Sequence, residues 1–123
     1  MRLPTRIHGM LDYLLGALLI ASPWLFGFAD GGAEQWAPVV LGVFVLLYSL
    51  FTDYECGVIK RLPMRVHLLL DAASGLLLAA SPWLLGFADE VRIPHVALGT
   101  LEIVLAALTR RAPGYRAAQR GAA

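Results

Sequence analysis

The side chains best suited to chemistry in this sequence occur twice, in the pattern Arg-x-His-x-x-x-Asp. The two copies are Arg6, His8 and Asp12, and Arg65, His67 and Asp71. A His and an Asp four positions apart share one helix face and can hydrogen-bond to each other. One interpretation is a structural clamp, in which each His–Asp pair satisfies itself and holds two helices together. The other is a proton relay or a binding site for a polar head group.

A haem ligated by both His8 and His67 is a further possibility, because symmetric histidines can hold the iron from two sides. Their Asp partners and their position near a helix end argue against it, so we expect no cofactor. The single Cys56 excludes an intramolecular disulfide and gives no zinc-type spacing, so no metal site is expected. No P-loop, dinucleotide-binding glycine turn or nucleophile elbow occurs, and we do not expect an enzyme.

Glu102 is the second candidate, because it stands within an apolar segment, 94–111. It lies about eight residues from one end of that segment, or about 12 Å along a helix. A carboxyl at that depth is a functional-site hypothesis by default, and desolvation favours its protonated form. His95 is on roughly the same helix face. The alternative is an interhelical hydrogen bond to a hydroxyl such as that of Ser74, or to a backbone carbonyl.

These residues belong to an internal repeat that covers most of the chain. Residues 3–30 and 62–89 align with an offset of 59 and no gap, and 18 of the 28 positions are identical. The following halves align with an offset of 57, where Gly42 meets Gly99 and Val45 meets Glu102. We assign repeat unit 1 to about 3–54, repeat unit 2 to about 62–111, and 112–123 to a basic, mobile tail.

Composition and four apolar segments indicate an integral membrane protein. Hydrophobic residues make up 59% and charged residues 15%, against about 45–50% and about 25% in soluble domains. The segments are 7–28, 36–53, 64–87 and 94–111, and a helix crosses a bilayer with about 17–25 residues. The first segment ends in Ser-Pro-Trp rather than in a small-x-small cleavage site, so we expect a span and not a signal peptide.

Charge predicts the orientation of these spans. Nine of the ten Lys and Arg residues lie before the first span, around the junction of the second and third, or at and after the end of the fourth, and only Arg92 lies at the other end. The positive-inside rule then places both termini in the cytoplasm. Trp24, Trp36 and Trp83 fall at the outer ends, as an interfacial aromatic belt predicts.

Each repeat unit supplies two helices, so the two copies have the same orientation. Their pseudo-twofold axis should then run along the membrane normal, as in parallel rather than inverted repeats. We expect Asp12 and Asp71 to approach that axis from opposite sides. Gly16 and Gly75 continue the same helix faces and should let a second helix come close.

The most specific motif is Ser-Pro-Trp, at Ser22, Pro23 and Trp24 and again at Ser81, Pro82 and Trp83. Proline near a helix end removes one backbone hydrogen bond, and serine can bond back to a carbonyl there. We interpret the motif as a shaped helix end rather than a ligand site. The twin segments ASPWLFGFAD and ASPWLLGFAD resemble the SPW-repeat family of small bacterial membrane proteins. The resemblance covers both halves and implies a multi-pass protein of the bacterial cytoplasmic (inner) membrane, but it supplies no activity.

The sequence therefore predicts an all-α bundle of four transmembrane helices. We expect a structural or accessory subunit that packs in the lipid bilayer with other membrane proteins or with itself. The alternative is a proton or small-solute transporter or channel that uses Glu102, Asp12 and Asp71, and the second alternative is a haem protein. The net charge of +1 gives no reason to expect a nucleic-acid partner.

Overall fold

The computed structural model describes residues 2–116, and the regular structure in that range is helical. The four long helices are α1 (Thr5–Leu25), α2 (Ala33–Leu50), α3 (Met64–Leu84) and α4 (Ile93–Leu108). The predicted all-α class is confirmed. By length and hydropathy, α2 and α3 are able to cross a membrane, and α4 is a shorter apolar helix.

All four helices end three residues earlier than the predicted segments. In α1 and α3 the cause is a glycine with positive φ, Gly27 at 75° and Gly86 at 77°, a conformation that stops a helix. In α2 and α4 the cause is a threonine that leaves the helix to form a short parallel bridge. As a result α4 has 16 residues and extends about 24 Å, less than the 18-residue segment predicted for it.

The two bridges show that the repeat is also a structural symmetry. Leu3 pairs with Thr109, and Thr52 pairs with Leu62. Leu3 and Leu62 are equivalent positions of the repeat, as are Thr52 and Thr109. The start of each unit is thus joined to the end of the other, around a pseudo-twofold axis. Both joints lie at the same end of the bundle.

Within each unit the two helices pack through facing glycines. A Cβ on Gly42 would lie 2.8 Å from the carbonyl oxygen of Gly16, and one on Gly99 would lie 2.5 Å from that of Gly75. Both distances are shorter than a Cβ can tolerate, so only glycine permits this approach. The close contact expected at Gly16 and Gly75 is confirmed, and it fixes the helix pairs that carry the polar residues.

The polarity of the bundle is inverted relative to a soluble domain. Among the described residues, fifteen polar or charged residues are buried but only eleven hydrophobic ones, while 26 large hydrophobic side chains are exposed. Soluble proteins seldom expose continuous apolar surface on this scale. The polar interior contains most of the residues singled out in the sequence.

The segment expected to be a mobile tail, 112–123, lies only partly within the described residues. The described part contacts the connection between α2 and α3: Gly114 N–H donates to Glu55 Oε1 at 3.0 Å, and the Arg116 guanidinium bonds Asp53 Oδ2 at 2.5 Å. Tyr115 donates its hydroxyl hydrogen to Asp53 as well. Residues 117–123 lie outside the described range.

Candidate functional site

The four repeated His and Asp side chains meet on the pseudo-twofold axis. His8 Nε2 lies 3.0 Å from Asp12 Oδ1 and 2.7 Å from Asp71 Oδ2. His67 Nε2 lies 2.9 Å from Asp12 Oδ2 and 3.1 Å from Asp71 Oδ2. Each histidine therefore contacts the Asp one turn away on its own helix and the Asp of the other unit. We call these four residues the axial cluster, and none of them is more than 5% exposed.

A threonine from the opposite unit determines the tautomer of each histidine. Thr109 donates its hydroxyl hydrogen to the Leu105 carbonyl at 2.5 Å and lies 2.7 Å from His8 Nδ1. A hydroxyl has one hydrogen to donate, so Thr109 accepts from His8, and Nδ1 of His8 carries a hydrogen. Thr52 bonds the Tyr48 carbonyl at 2.6 Å and His67 Nδ1 at 2.7 Å in the same way.

The protonated Nδ1 atoms constrain the charge of the axial cluster. For each histidine the axial cluster then needs one more proton to balance a carboxylate, held either on the ring as an imidazolium or on the carboxyl as an acid. Two such protons make the two His and two Asp residues neutral together. Neutrality is expected, because an uncompensated charge is very costly to bury.

Tyrosine hydroxyls complete the axial cluster without following the symmetry. Tyr48 of α2 donates to Asp71 Oδ1. Its repeat equivalent, Leu105, has no donor for Asp12. Instead Tyr54, from the connection after α2, donates to Asp12 Oδ2 at 2.8 Å. The sequence analysis missed both tyrosines and both threonines, and only the alignment of Thr52 with Thr109 hinted at a shared role.

Glu102 lies beside the axial cluster but does not join it. It is 3% exposed, and neither of its carboxyl oxygens has a hydrogen-bond partner among the described residues. The hydroxyl of Ser74 is also buried without an aligned hydrogen-bond partner among the described residues, so the bond to Glu102 considered from the sequence does not have hydrogen-bond geometry. Glu102 borders a cavity of about 10 Å³ that His8, Asp12 and Asp71 also line. That volume is at the lower limit for one water molecule.

His95 lies toward the other end of the bundle. It packs between Phe28 and Phe87, with ring centroids 4.9 and 4.8 Å away, and these phenylalanines are repeat equivalents. Nε2 of His95 donates to the Glu34 carbonyl at 2.8 Å. The residues that separate it from the axial cluster include Leu19 and Leu78, each 0% exposed. The space beside His95, which Leu19 and Leu78 also line, is too small for water.

The Ser-Pro-Trp motifs lie in the last turns of α1 and α3. Ser22 Oγ donates to the Leu19 carbonyl at 2.7 Å, and Ser81 Oγ donates to the Leu78 carbonyl at 2.6 Å. The Pro23 and Pro82 rings are buried, while Trp24 and Trp83 are 61% and 60% exposed. The motif shapes a helix end and presents a tryptophan to the surroundings, and it contributes nothing to the axial cluster.

The geometry also bears on the haem alternative. The rings of His8 and His67 are 5.5 Å apart between centroids, at an interplanar angle of 76°. No porphyrin fits between rings in edge-to-face contact, and both Nε2 atoms already face carboxylates. The arrangement suits a small cation or protons, not a macrocycle.

Comparison with known proteins gives one match. The family model of the SPW repeat domain matches residues 6–109, which include both Ser-Pro-Trp motifs and all four residues of the axial cluster. No curated protein and no solved structure matches the chain.

Proposed function

Because the chain belongs to the SPW repeat family, we propose that it is an integral membrane protein whose four helices all cross the bilayer. The observation that carries this proposal is the inverted polarity of the bundle: 26 large hydrophobic side chains face outward around an interior of His, Asp, Glu, Ser and Thr. Lipid solvates that outer surface, and polar groups within a membrane face the bundle interior and pair there. The shorter α4 needs only local thinning of the bilayer, at modest cost.

We further propose that both ends of the described chain face the bacterial cytoplasm. An apolar groove of about 410 Å³ between α3 and α4 supports this orientation. Arg2, Arg65 and Arg111 surround one end of the groove, and Leu69 and Ile103 are among its apolar lining. Arginines above an apolar groove suit the phosphate and acyl chain of an anionic lipid of the cytoplasmic leaflet.

The single cysteine provides a test of orientation. Cys56 lies in the connection between α2 and α3, which the proposal places in the cytoplasm. Burial raises the pKa of the Cys56 thiol, so its reaction with maleimide will be slow. Val58, 75% exposed in the same connection, gives a faster reporter as Val58→Cys in a Cys56→Ser chain.

A membrane-impermeant maleimide should label this reporter only after permeabilisation of spheroplasts. The matched reporter Asp89→Cys, in the exposed connection between α3 and α4, should react before permeabilisation. The reverse pattern would refute the orientation, and equal labelling of both reporters in intact spheroplasts would refute the spanning topology.

Within the membrane we propose a structural or accessory role, in association with other membrane proteins or with further copies of the chain. Three features support it: the axial cluster satisfies its charge internally, Leu19 and Leu78 are fully buried, and the connections between helices are short. Purification in mild detergent, followed by a detergent-corrected mass, tests the role. A mass above that of one chain is expected, whereas a lone chain in every mild detergent would refute it.

Glu102 favours a second candidate, a pathway for protons or a small solute. Its carboxyl lacks a hydrogen-bond partner in the described residues and borders the same small cavity as Asp12 and Asp71. In vesicles that contain the purified protein, Glu102→Gln should reduce proton flux if this candidate is correct. If the unchanged chain and Glu102→Gln both give only the proton flux of protein-free vesicles, this candidate function is refuted.

A further inference from the structure

The axial cluster contains the ligand atoms of a possible metal site. One atom from each of His8, Asp12, His67 and Asp71 lies within 4.8 Å of all the others. The four nitrogen–oxygen contacts of the axial cluster, which involve both carboxylate oxygens of Asp12 and only Oδ2 of Asp71, range from 2.7 to 3.1 Å. Two imidazoles and two carboxylates that converge in a buried position are a donor set that binds divalent transition metals.

The hydrogen bonds around these residues are those that orient metal ligands. A metal-binding histidine donates its other ring N–H to an acceptor, and its carboxylate neighbours are themselves hydrogen-bonded. Here Nδ1 of His8 donates to Thr109 at 2.7 Å, and Nδ1 of His67 donates to Thr52 at 2.7 Å. The hydroxyl of Tyr48 donates to Asp71 Oδ1, and that of Tyr54 donates to Asp12 Oδ2. Both Nε2 atoms are thereby directed to the centre of the axial cluster.

One atom is not explained by hydrogen bonding within the axial cluster. Nε2 of His67, a residue with 0% exposure, has no aligned hydrogen-bond partner in the described part of the chain. Its two nearest carboxylate oxygens, at 2.9 and 3.1 Å, lie outside the direction in which a ring N–H would point. A buried nitrogen aimed between two carboxylates is placed to coordinate a cation rather than to donate a hydrogen bond.

We propose that the axial cluster binds one divalent transition-metal cation through His8 Nε2, His67 Nε2 and one carboxylate oxygen each of Asp12 and Asp71. Four protein ligands of this kind form a closed tetrahedral site, which Zn²⁺ prefers, whereas Mg²⁺ and Ca²⁺ prefer all-oxygen sites. Bonds of about 2.0–2.1 Å require ligand atoms about 3.3 Å apart. The nitrogen–oxygen contacts of 2.7–3.1 Å in the axial cluster are close to that spacing.

Charge balance makes the exchange feasible inside a low-dielectric bundle. The cation carries two positive charges, and in its presence the two carboxylates are ionised and the imidazoles keep only their Nδ1 hydrogens. Without it, two protons give the same net charge of zero. Binding therefore releases two protons, and affinity should rise with pH. The other titratable groups that face the axial cluster are Tyr48 from α2, Tyr54 from the connection and Glu102 from α4.

Cobalt provides a direct probe of the site. The full chain, purified in detergent and treated with a chelator, is titrated with Co²⁺, whose tetrahedral complexes absorb visible light strongly. We expect one Co²⁺ per chain, a tetrahedral spectrum, and loss of that spectrum when Zn²⁺ is added. No tetrahedral spectrum, or binding only with octahedral character, would overturn the proposal and leave a cluster closed by protons.

Variants assign the ligands. His67→Ala and Asp71→Asn should abolish the cobalt spectrum, while the matched change His95→Ala, at a buried histidine outside the axial cluster, should retain it. Since ligand variants can misfold, Thr52→Val provides a second test that keeps all four ligands. Loss of its hydrogen bond to His67 should weaken Co²⁺ binding about 10–100-fold. A spectrum that survives His67→Ala, or unchanged affinity in Thr52→Val, would contradict the assignment.

Discussion

His8 of the first repeat unit contacts Asp71 of the second more closely than it contacts Asp12 on its own helix. The Nε2–Oδ distances are 2.7 Å across the axis and 3.0 Å along the helix. The axial cluster is therefore a bond between the two units as well as a set of local pairs.

Removal of one carboxylate should weaken that bond strongly. Asp71→Asn leaves the partner imidazoles without their counter-charge, and the loss of one partner of a buried ion pair costs about 3–5 kcal/mol. We expect a clear fall in the thermal midpoint measured by circular dichroism in mild detergent. Asp89→Asn, an exposed carboxylate at the other end of α3, is the matched control. Equal midpoints for the two variants would contradict a structural role for the axial cluster.

The facing glycines predict a second loss of stability. In Gly99→Ala the new methyl group would lie 2.5 Å from the carbonyl oxygen of Gly75, so α3 and α4 must separate. Overpacking of this kind costs about 1–3 kcal/mol, measurable as a lower midpoint. The control is Gly114→Ala, whose methyl group, among the described residues, would meet Glu55 Oε1 alone, at 3.7 Å. If Gly99→Ala is as stable as Gly114→Ala, the close approach is not required.

The carboxyl of Glu102, which has no counterpart in the first repeat unit, should lower the stability of the bundle. Glu102→Val copies the equivalent residue, Val45, and removes a buried group without a hydrogen-bond partner in the described chain. An unsatisfied buried polar group costs about 1–3 kcal/mol, so we expect a higher thermal midpoint. The mirror change Val45→Glu, at a site with 1% exposure, should lower it. A destabilised Glu102→Val chain would show that the carboxyl has a structural partner.

The contact of residues 114–116 with the connection should depend on pH. Partial burial opposes ionisation of Asp53, but the hydrogen bond from Tyr115 and the guanidinium of Arg116 outweigh it and lower the pKa of Asp53. A pKa that is lower in the folded state means that the contact is complete above the ordinary carboxyl pKa. It weakens as the pH falls through the lowered value.

Amide hydrogen exchange at Gly114 measures this contact. Exchange corrected for its intrinsic pH dependence should be slow near neutral pH and faster in acid. Asp53→Asn should exchange quickly at both pH values, whereas the distant control Asp89→Asn should behave like the unchanged chain. Uniformly slow exchange in Asp53→Asn would show that other contacts hold the segment.

Much of the fold could be predicted because it depends on local pattern. The apolar segments predict the helices, Gly27 and Gly86 mark their ends, and the 59-residue offset predicts which helices are equivalent. The predicted segments extended too far because the residues remain apolar past the point where the backbone leaves the helix. At Thr52 and Thr109 the chain leaves the helix to pair with a distant strand position, and such pairing is not visible in a local window.

The sequence by itself determined the repeat, the two His–Asp pairs and the glycines that let the helices approach, because each depends on spacing along one helix or on identity between two. Only the tertiary structure decided that the pairs merge into one neutral cluster and that Thr52 and Thr109 orient the histidines. It also decided that Tyr54 donates to Asp12, because the residue equivalent to Tyr48 in the second unit is Leu105, which has no hydroxyl. These contacts join residues 15 to 101 positions apart. Which residue donates depends on the path of a connection and on the length of the side chain, and no spacing in the sequence specifies either.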